Sequence, residues 1–401
     1  MADRICITGM GIVSALGENK YETEDKLLKE KSGIGKLVYL NSIHKEIPVG
    51  MVKIPDQKLK SKVGVDQNTI IARTTLLGIL AAREAIIQAK LLGAGYKKIG
   101  FISGTTVGGM EKSEQYYLDF LHNDKHNEYI SLHDCGACTE DIAKHLGNFE
   151  FCTTISTACS SAANAIILGA NMLKLGLLDA VIVGGSECIT KFHLNGFNTL
   201  MILDKGPCKP FDANRGGITL GEGAAYLVME TEQNCDLRQI KPLCTLSGYG
   251  NACDAFHQTA SSPDGKGAIL SMQKALEMSG LEPSDIGYIN AHGTGTQNND
   301  LSEGVAISTL FEKVPPISST KSFTGHTTSA AGAVETVISI IAMTHNFLPA
   351  NLNFSEKMEE LNFEPIKTTI KNYSFDHFMK NSFGFGGNNT SLIFSKYKNN
   401  N

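Results

Sequence analysis

The chain has 401 residues, 42% of them hydrophobic, enough to bury one large core or two fused ones. Its 36 basic and 41 acidic residues are mixed along the length for a net charge of −5, which excludes an electrostatic drive toward nucleic acid or an anionic membrane. No apolar run reaches a membrane span and residues 1–17 lack a signal-peptide pattern, so a cytoplasmic protein with reduced thiols is expected rather than a disulfide framework.

In chain order, a strand is predicted over residues 4–8, a helix over 76–92 with apolar residues at three- and four-residue steps, and a strand over 99–103. Cys135 and Cys138 form one C-x-x-C with no second pair at zinc spacing, and read as ordinary thiols. A β-branched run over 151–156 leads through Thr157-Ala-Cys-Ser-Ser161 into a small and aliphatic run over 162–175, suited to a helix. Cys159 thus falls at a strand-to-helix turn, where unpaired amide N–H groups and the helix dipole favour the thiolate that attacks acyl groups. On position alone, a buried structural thiol is an equal alternative.

Strands follow over 180–184, 225–230 and 243–247, then a helix over 267–280 and a strand over 286–290. Asn290-Ala-His-Gly-Thr-Gly-Thr296 puts His292 at a strand end, among glycines that let a ligand near the backbone and hydroxyls able to hold a polar chain. After the β-rich run 316–319 comes Lys321-Ser-Phe-Thr-Gly-His326, with His326 opening an apolar helix over 327–341 that carries Glu335. A histidine at a helix N-terminus stays neutral, because the dipole opposes protonation, and its Nε2–H can then donate to a developing oxyanion. Lys321 and Glu335 are each placed to tune that histidine. Read singly, these residues serve equally well as a turn cap and a surface lysine. The loop 381–389, with Gly384-Phe-Gly-Gly387, can aim a backbone N–H at a site and offer Phe385 as an apolar flap before a last strand over 391–395.

Alternating strands and helices argue for an α/β fold with buried sheets. The two halves also echo each other. Ile7-Thr-Gly-Met-Gly11 matches Leu246-Ser-Gly-Tyr-Gly250, Ile99-Gly-Phe-Ile102 matches Ile286-Gly-Tyr-Ile289, and residues 221–229 match 386–394. Three matches in one order indicate a duplication, with halves over 1–235 and 236–401 and a seam in the polar stretch 231–242. Without a Gly/Ser-rich linker there, the halves are expected to pack as one body.

Taken together, Thr157-Ala-Cys-Ser-Ser161, Asn290-Ala-His-Gly-Thr-Gly-Thr296, Lys321-Ser-Phe-Thr-Gly-His326 and Gly384-Phe-Gly-Gly387 resemble the active-site motifs of elongating β-ketoacyl-(acyl carrier protein) synthases, in that family's order. The likeness extends from residue 5 through Lys209-Pro-Phe-Asp212 and Pro349-Ala-Asn-Leu352 to the last strand. It implies the thiolase fold, a duplicated five-layer αβαβα sandwich, in a homodimer. It implies that Cys159 takes an acyl group from acyl carrier protein, that the N–H groups of Cys159 and Phe385 form an oxyanion hole, and that His292 and His326 stabilise the enolate left when a malonyl group loses CO₂. Lys321 and Glu335 would support His326, Thr294 and Thr296 would hold phosphopantetheine, and Phe385 would gate the acyl pocket. No cofactor of the chain's own is implied, since phosphopantetheine arrives on the carrier; a monovalent cation near Asn290 and Glu335 would be consistent with the family. No nucleic-acid partner and no membrane insertion are expected.

The rival enzyme readings fit less well. A thiolase needs a late second cysteine, whereas Cys253 is the last, and an initiating or chalcone-type synthase pairs Cys with His and Asn. From another class comes a non-catalytic partner subunit that sets chain length, which lacks the nucleophile. Thr327-Thr-Ser329, residues 160–164 and the segment 253–258 depart from the common pattern. These departures direct attention to a polar or unsaturated acyl chain, as in polyene or aromatic polyketide assembly, beside ordinary fatty-acid elongation.

Overall fold

The computed structural model describes residues 4–398, so the outermost residues of both predicted halves lie outside it. The first half runs β1 (Ile5–Ser14), α1 (Lys20–Leu28), α2 (Asp56–Val63), α3 (Arg73–Gln88), β2 (Ile99–Gly104), α4 (Met110–His122), α5 (Cys135–Leu146), β3 (Phe151–Ile155), α6 (Ser161–Lys174), β4 (Ala180–Glu187), α7 (Lys191–Thr199) and β5 (Gly223–Thr231). The stretch 231–242, read as a polar seam, instead carries α8 (Glu232–Arg238), so the predicted division at 235/236 falls inside a helix. The second half runs β6 (Cys244–Cys253), α9 (Lys266–Ser279), β7 (Tyr288–Asn290), α10 (Gln297–Leu310), β8 (Ile317–Ser318), α11 (Lys321–Thr324), α12 (Ala331–His345), β9 (Phe347–Leu348), β10 (Ile370–Lys371), β11 (His377–Phe383) and β12 (Asn388–Lys396).

Ten strands are ordered β3-β2-β4-β5-β1-β6-β12-β11-β7-β8, a palindrome about the β1–β6 contact. Within each half the outer strands are parallel and one strand, β5 or β12, runs antiparallel between its neighbours. The halves meet over a short antiparallel pairing, Ile5 to Leu246 and Ile7 to Cys244. All three sequence echoes occupy equivalent places: β1 with β6, β2 with β7, and β5 with β12.

Because the strands are covered on both sides, alternate residues enter different layers. On β5, Ala225, Leu227 and Met229 join the central core, while Ala224, Tyr226 and Val228 face the outer one. On β12, Leu392 and Phe394 face the centre and Ile393 the other outside. The central layer contains α6 and α12; α3 packs outside the first sheet and α9 outside the second. This is the five-layer αβαβα arrangement expected of a thiolase-like fold. The repeated Gly-x-Gly explains how closely the outer helices sit. A Cβ on Gly9 would lie 2.2 Å from Ala85 O of α3, and one on Gly248 would lie 2.1 Å from Ala275 O of α9. No side chain fits either gap.

Among the described residues no helix is long and apolar enough to cross a membrane. All ten cysteines are free thiols, including Cys135 and Cys138.

Candidate active site

The loops at one end of the two halves converge on a cavity of about 280 Å³ whose walls include Cys159, His292, His326, Thr294, Thr296 and Phe385. Residues separated by more than two hundred positions are thereby brought to a single sulfur.

Cys159 follows β3 in a tight turn where Ala158 takes a left-handed φ of 52°, and α6 begins two residues later, at Ser161. Ser161 Oγ accepts the Thr157 N–H at 2.9 Å and donates to Ala158 O at 2.6 Å, which closes the turn under the cysteine. Burial pushes the Cys159 thiol up to about 11, while Lys321 and the Phe385 backbone N–H pull in the opposite direction. The helix-end argument thus fails to set the resting state: desolvation outweighs it, and the thiol is the resting form.

His326 Nε2 lies 3.1 Å from Cys159 Sγ. Its Nδ1 accepts the Thr328 N–H at 3.2 Å, which leaves the ring proton on Nε2, facing the sulfur. His326 does not open α12 as predicted. A turn of 3₁₀ helix over Thr328–Ala330 intervenes before Ala331. Its pKa is held well below the usual histidine value by burial, then by the ammonium groups of Lys321 and Lys380. The neutral state expected from a helix dipole is therefore reached through desolvation and neighbouring positive charge.

His292 sits just past β7, its N–H and that of Gly293 each donating to Glu303 at 2.8 Å. Lys321 Nζ donates to the His292 carbonyl and lies 3.4 Å from its Nδ1. An ammonium group has no acceptor, so Nδ1 must accept and the proton rests on Nε2. Burial, Lys321 and His326 hold His292 well below its ordinary pKa. Lys321 therefore touches His292, whereas the sequence reading attached it to His326. Glu335 pairs with Lys321 at 2.5 Å and reaches the histidines through it.

The two imidazoles stand 5.3 Å apart at 83°, and ligating atoms of Cys159, His292 and His326 all lie within 4.8 Å of one another. Among the described residues they form the one Cys/His/Asp/Glu trio spaced to hold an ion, but two buried ammonium groups beside them oppose a cation there.

Gly384–Gly387 closes the site; residues 381–383, predicted as part of this loop, are the end of β11, and 388–389 begin β12. A Cβ on Gly384 would approach Thr157 O to 3.0 Å, so glycine permits the contact with the nucleophile turn. Asn388 Oδ1 accepts from Ser160 Oγ and Asn164 Nδ2, both at 2.8 Å, and ties the loop to α6. The Phe385 ring stacks on Phe197 at 5.8 Å. Thr294 and Thr296 are joined hydroxyl to hydroxyl at 2.9 Å on the cavity wall.

The unusual polar residues fall into two groups. Ser160 and Asn164 hold the glycine loop, Ser329 Oγ donates to buried Glu187, and Thr328 holds His326 through its backbone N–H alone, its hydroxyl being buried without a partner. They position the site and are absent from the cavity lining, so they say little about the acyl chain. No residue of the segment 253–258 lines the cavity; the next three, Thr259, Ala260 and Ser261, do, and Gln258 O accepts the Gly386 N–H at 2.7 Å. Sequence reading missed Glu303, Asn388 and Lys380. No sequence pattern marked Lys380, because His377–Phe383 mixes polar and apolar residues; only the burial of this strand on both faces shows a charge where one is costly.

Comparison with known proteins agrees with this geometry. The family model described as Beta-ketoacyl synthase, N-terminal domain, matches residues 2–234, and its C-terminal counterpart matches residues 243–355. A protein of Schizosaccharomyces pombe named as a candidate mitochondrial 3-oxoacyl-[acyl-carrier-protein] synthase is 33% identical, with 98% of this chain and 99% of that one covered. The Staphylococcus aureus 3-oxoacyl-[acyl-carrier-protein] synthase 2 is 29% identical over the same shares. Among solved structures, a chain of the ishigamide ketosynthase/chain length factor superposes with a TM-score of 0.92 at 26% identity, over 99% of this chain and 100% of that one. A chain from the complex of the ketosynthase ApeO with its chain length factor ApeC, from Xenorhabdus doucetiae, gives 0.84 at 31% identity over 98% of each.

Proposed function

Because this chain belongs to the β-ketoacyl synthase family, we propose that Cys159 carries the acyl group and that His292 and His326 stabilise the enolate in the condensation which that family performs. The reaction is a decarboxylative Claisen condensation, in which an enzyme-bound acyl thioester gains two carbons from a malonyl thioester. The observation that carries the residue assignment is the convergence of one sulfur and two imidazoles within 4.8 Å.

In the first step the Cys159 thiol exchanges with the incoming acyl thioester: a new C–S bond forms, the old one breaks, and the proton passes to the departing carrier thiol. The tetrahedral oxyanion accepts from the N–H groups of Cys159 and Phe385. In the second step the malonyl group loses CO₂, and the enolate oxygen accepts from Nε2–H of both histidines. The carbanion then attacks the Cys159 thioester, forming the new C–C bond and expelling the sulfur as thiolate, which takes a proton from water. Neutral rings suit this role, since they donate without placing two further positive charges beside Lys321. The related synthases' names support acyl carrier protein as the vehicle of both substrates, with phosphopantetheine running past Thr294 and Thr296.

The chain on Cys159 is fatty or polyketide-like. A panel of carrier proteins bearing saturated C8–C14 and conjugated polyenoyl groups, incubated with malonyl carrier, tests the specificity. An acyl adduct on Cys159 and a two-carbon-longer product are expected. A plain preference for saturated chains would sink the polyene reading, and a failure to acylate, with Cys159→Ala changing nothing, would favour the chain-length partner. The sulfur 3.1 Å from an imidazole argues against that last alternative.

We also assign a homodimer. The edge strand β3 is only partly covered and α4 buries none of its residues, so both offer a mate a surface. Light scattering giving the mass of one chain would reject it. Ten free thiols fit a reducing, cytoplasmic setting.

A further inference from the structure

Behind His292 lies a cluster that the reaction above does not use directly. Lys321, Lys380 and Glu335 are all buried, both lysines fully so. Each oxygen of the Glu335 carboxylate faces one ammonium: Oε1 accepts from Lys321 Nζ at 2.5 Å, while Oε2 lies 2.7 Å from Lys380 Nζ in an ion pair without hydrogen-bond geometry. Lys380 also donates to the Asn381 carbonyl and lies 3.3 Å from Ser382 Oγ. Glu303, held by Asn381 Nδ2 at 3.2 Å, brings the cluster to two positive and two negative groups.

A lysine buried in a strand is costly unless it is fully paired, and an apolar residue there would carry no such cost. The charge at position 380 therefore has a use. A monovalent cation beside Asn290 and Glu335 would need the Glu335 oxygen that the Lys380 ammonium faces at 2.7 Å, where the two positive charges would collide. It would also meet two ammonium groups with no carboxylate left to balance it. Asn290 is buried with neither polar atom of its amide partnered, and one amide oxygen is too little to hold an ion alone. These residues do not fit a dissociable cation.

We propose that Lys380 is a tethered cation: its ammonium takes the place of a free monovalent ion, orients Glu335, and so keeps Lys321 on the Nδ1 side of His292. Lys380 is a positioning residue, and the proposal rests on the reading that His292 donates from Nε2. It predicts an enzyme indifferent to the monovalent salt, in which removal of one side chain creates a cation requirement.

The experiment uses the full chain with acyl- and malonyl-loaded carrier protein in KCl, NaCl or choline chloride at equal ionic strength. Wild type is expected to show one rate and one Tm in all three. Lys380→Ala is expected to lose about 10–100-fold in choline chloride, the scale of removing an outer partner of an active group. KCl or methylammonium chloride should restore its rate saturably and raise its Tm, because an ion bound only by the folded state stabilises it. A wild-type rate or Tm that falls when choline replaces potassium overturns the proposal. So does a Lys380→Ala enzyme of wild-type rate that ignores potassium. If that variant does not fold, the wild-type salt comparison alone decides. Failure of the underlying site reading would show separately, as condensation surviving His292→Ala.

Discussion

Cys159→Ala abolishes condensation, by about 10⁵–10⁶-fold, the scale on which an enzyme loses its nucleophile. No acyl thioester can form on a methyl group, so the covalent route is closed rather than slowed. The variant keeps the rest of the site. His292 keeps Lys321, His326 keeps the Thr328 N–H when its contact with the sulfur is lost, and the loop at Phe385 is anchored through Asn388. Malonyl carrier protein should therefore still release CO₂ in this variant, without product. Intact mass and CO₂ release measure the two halves of the reaction separately. An acyl adduct that persists in Cys159→Ala, on Cys253 near the glycine loop for example, would show that the nucleophile has been misassigned. The high resting pKa of about 11 adds a second expectation. Alkylation of Cys159 in the free enzyme should accelerate with pH through the neutral range instead of levelling off there.

His292→Ala and His326→Ala should each lower decarboxylation and condensation by about 10²–10³-fold, the usual loss for one donor to a developing oxyanion. They should differ in acylation. His326 touches the sulfur and its loss slows adduct formation, whereas His292 meets only the enolate, so His292→Ala should still acylate. Equal loss of acylation in both would argue against separate roles. The same histidines set a pH dependence of stability. Burial lowers both folded-state pKa values well below the model-peptide value of about 6.5, so between the two values the unfolded chain binds more protons. Their contribution is fully present above about pH 6.5 and is lost as the pH falls, at about 1.4 kcal/mol per pH unit for each ring. Denaturant midpoints for wild type should drop between pH 7 and 5.5, and less steeply for either alanine variant.

Much of this was legible in the chain itself. Strands covered on both faces read as unbroken apolar runs, which marked the α/β class. The repeated Gly-x-Gly of β1 and β6 marked the duplication, because only glycine admits a helix backbone so near a strand. The nucleophile, both histidines and the glycine loop announced themselves by residue type and order. The shortest strands of the ten-stranded sheet, β7 and β8, held their expected places although they pair with each other over only Ile289–Ile317 and Asn290–Ser318.

What the tertiary structure alone decided is which charge meets which ring. Lys321 precedes His326 by five positions, yet its Nζ reaches His292, 29 positions away in sequence, a pairing set by how β7 and α11 pack and not by local spacing. Lys380 meets Glu335 across β11 and α12, a pairing that no local spacing encodes. The neutral histidines and the raised Cys159 pKa follow from desolvation, which depends on everything packed around a group rather than on its neighbours in sequence. The sequence by itself pointed to the groups proposed to react; burial and long side-chain reach determined their protonation and their partners.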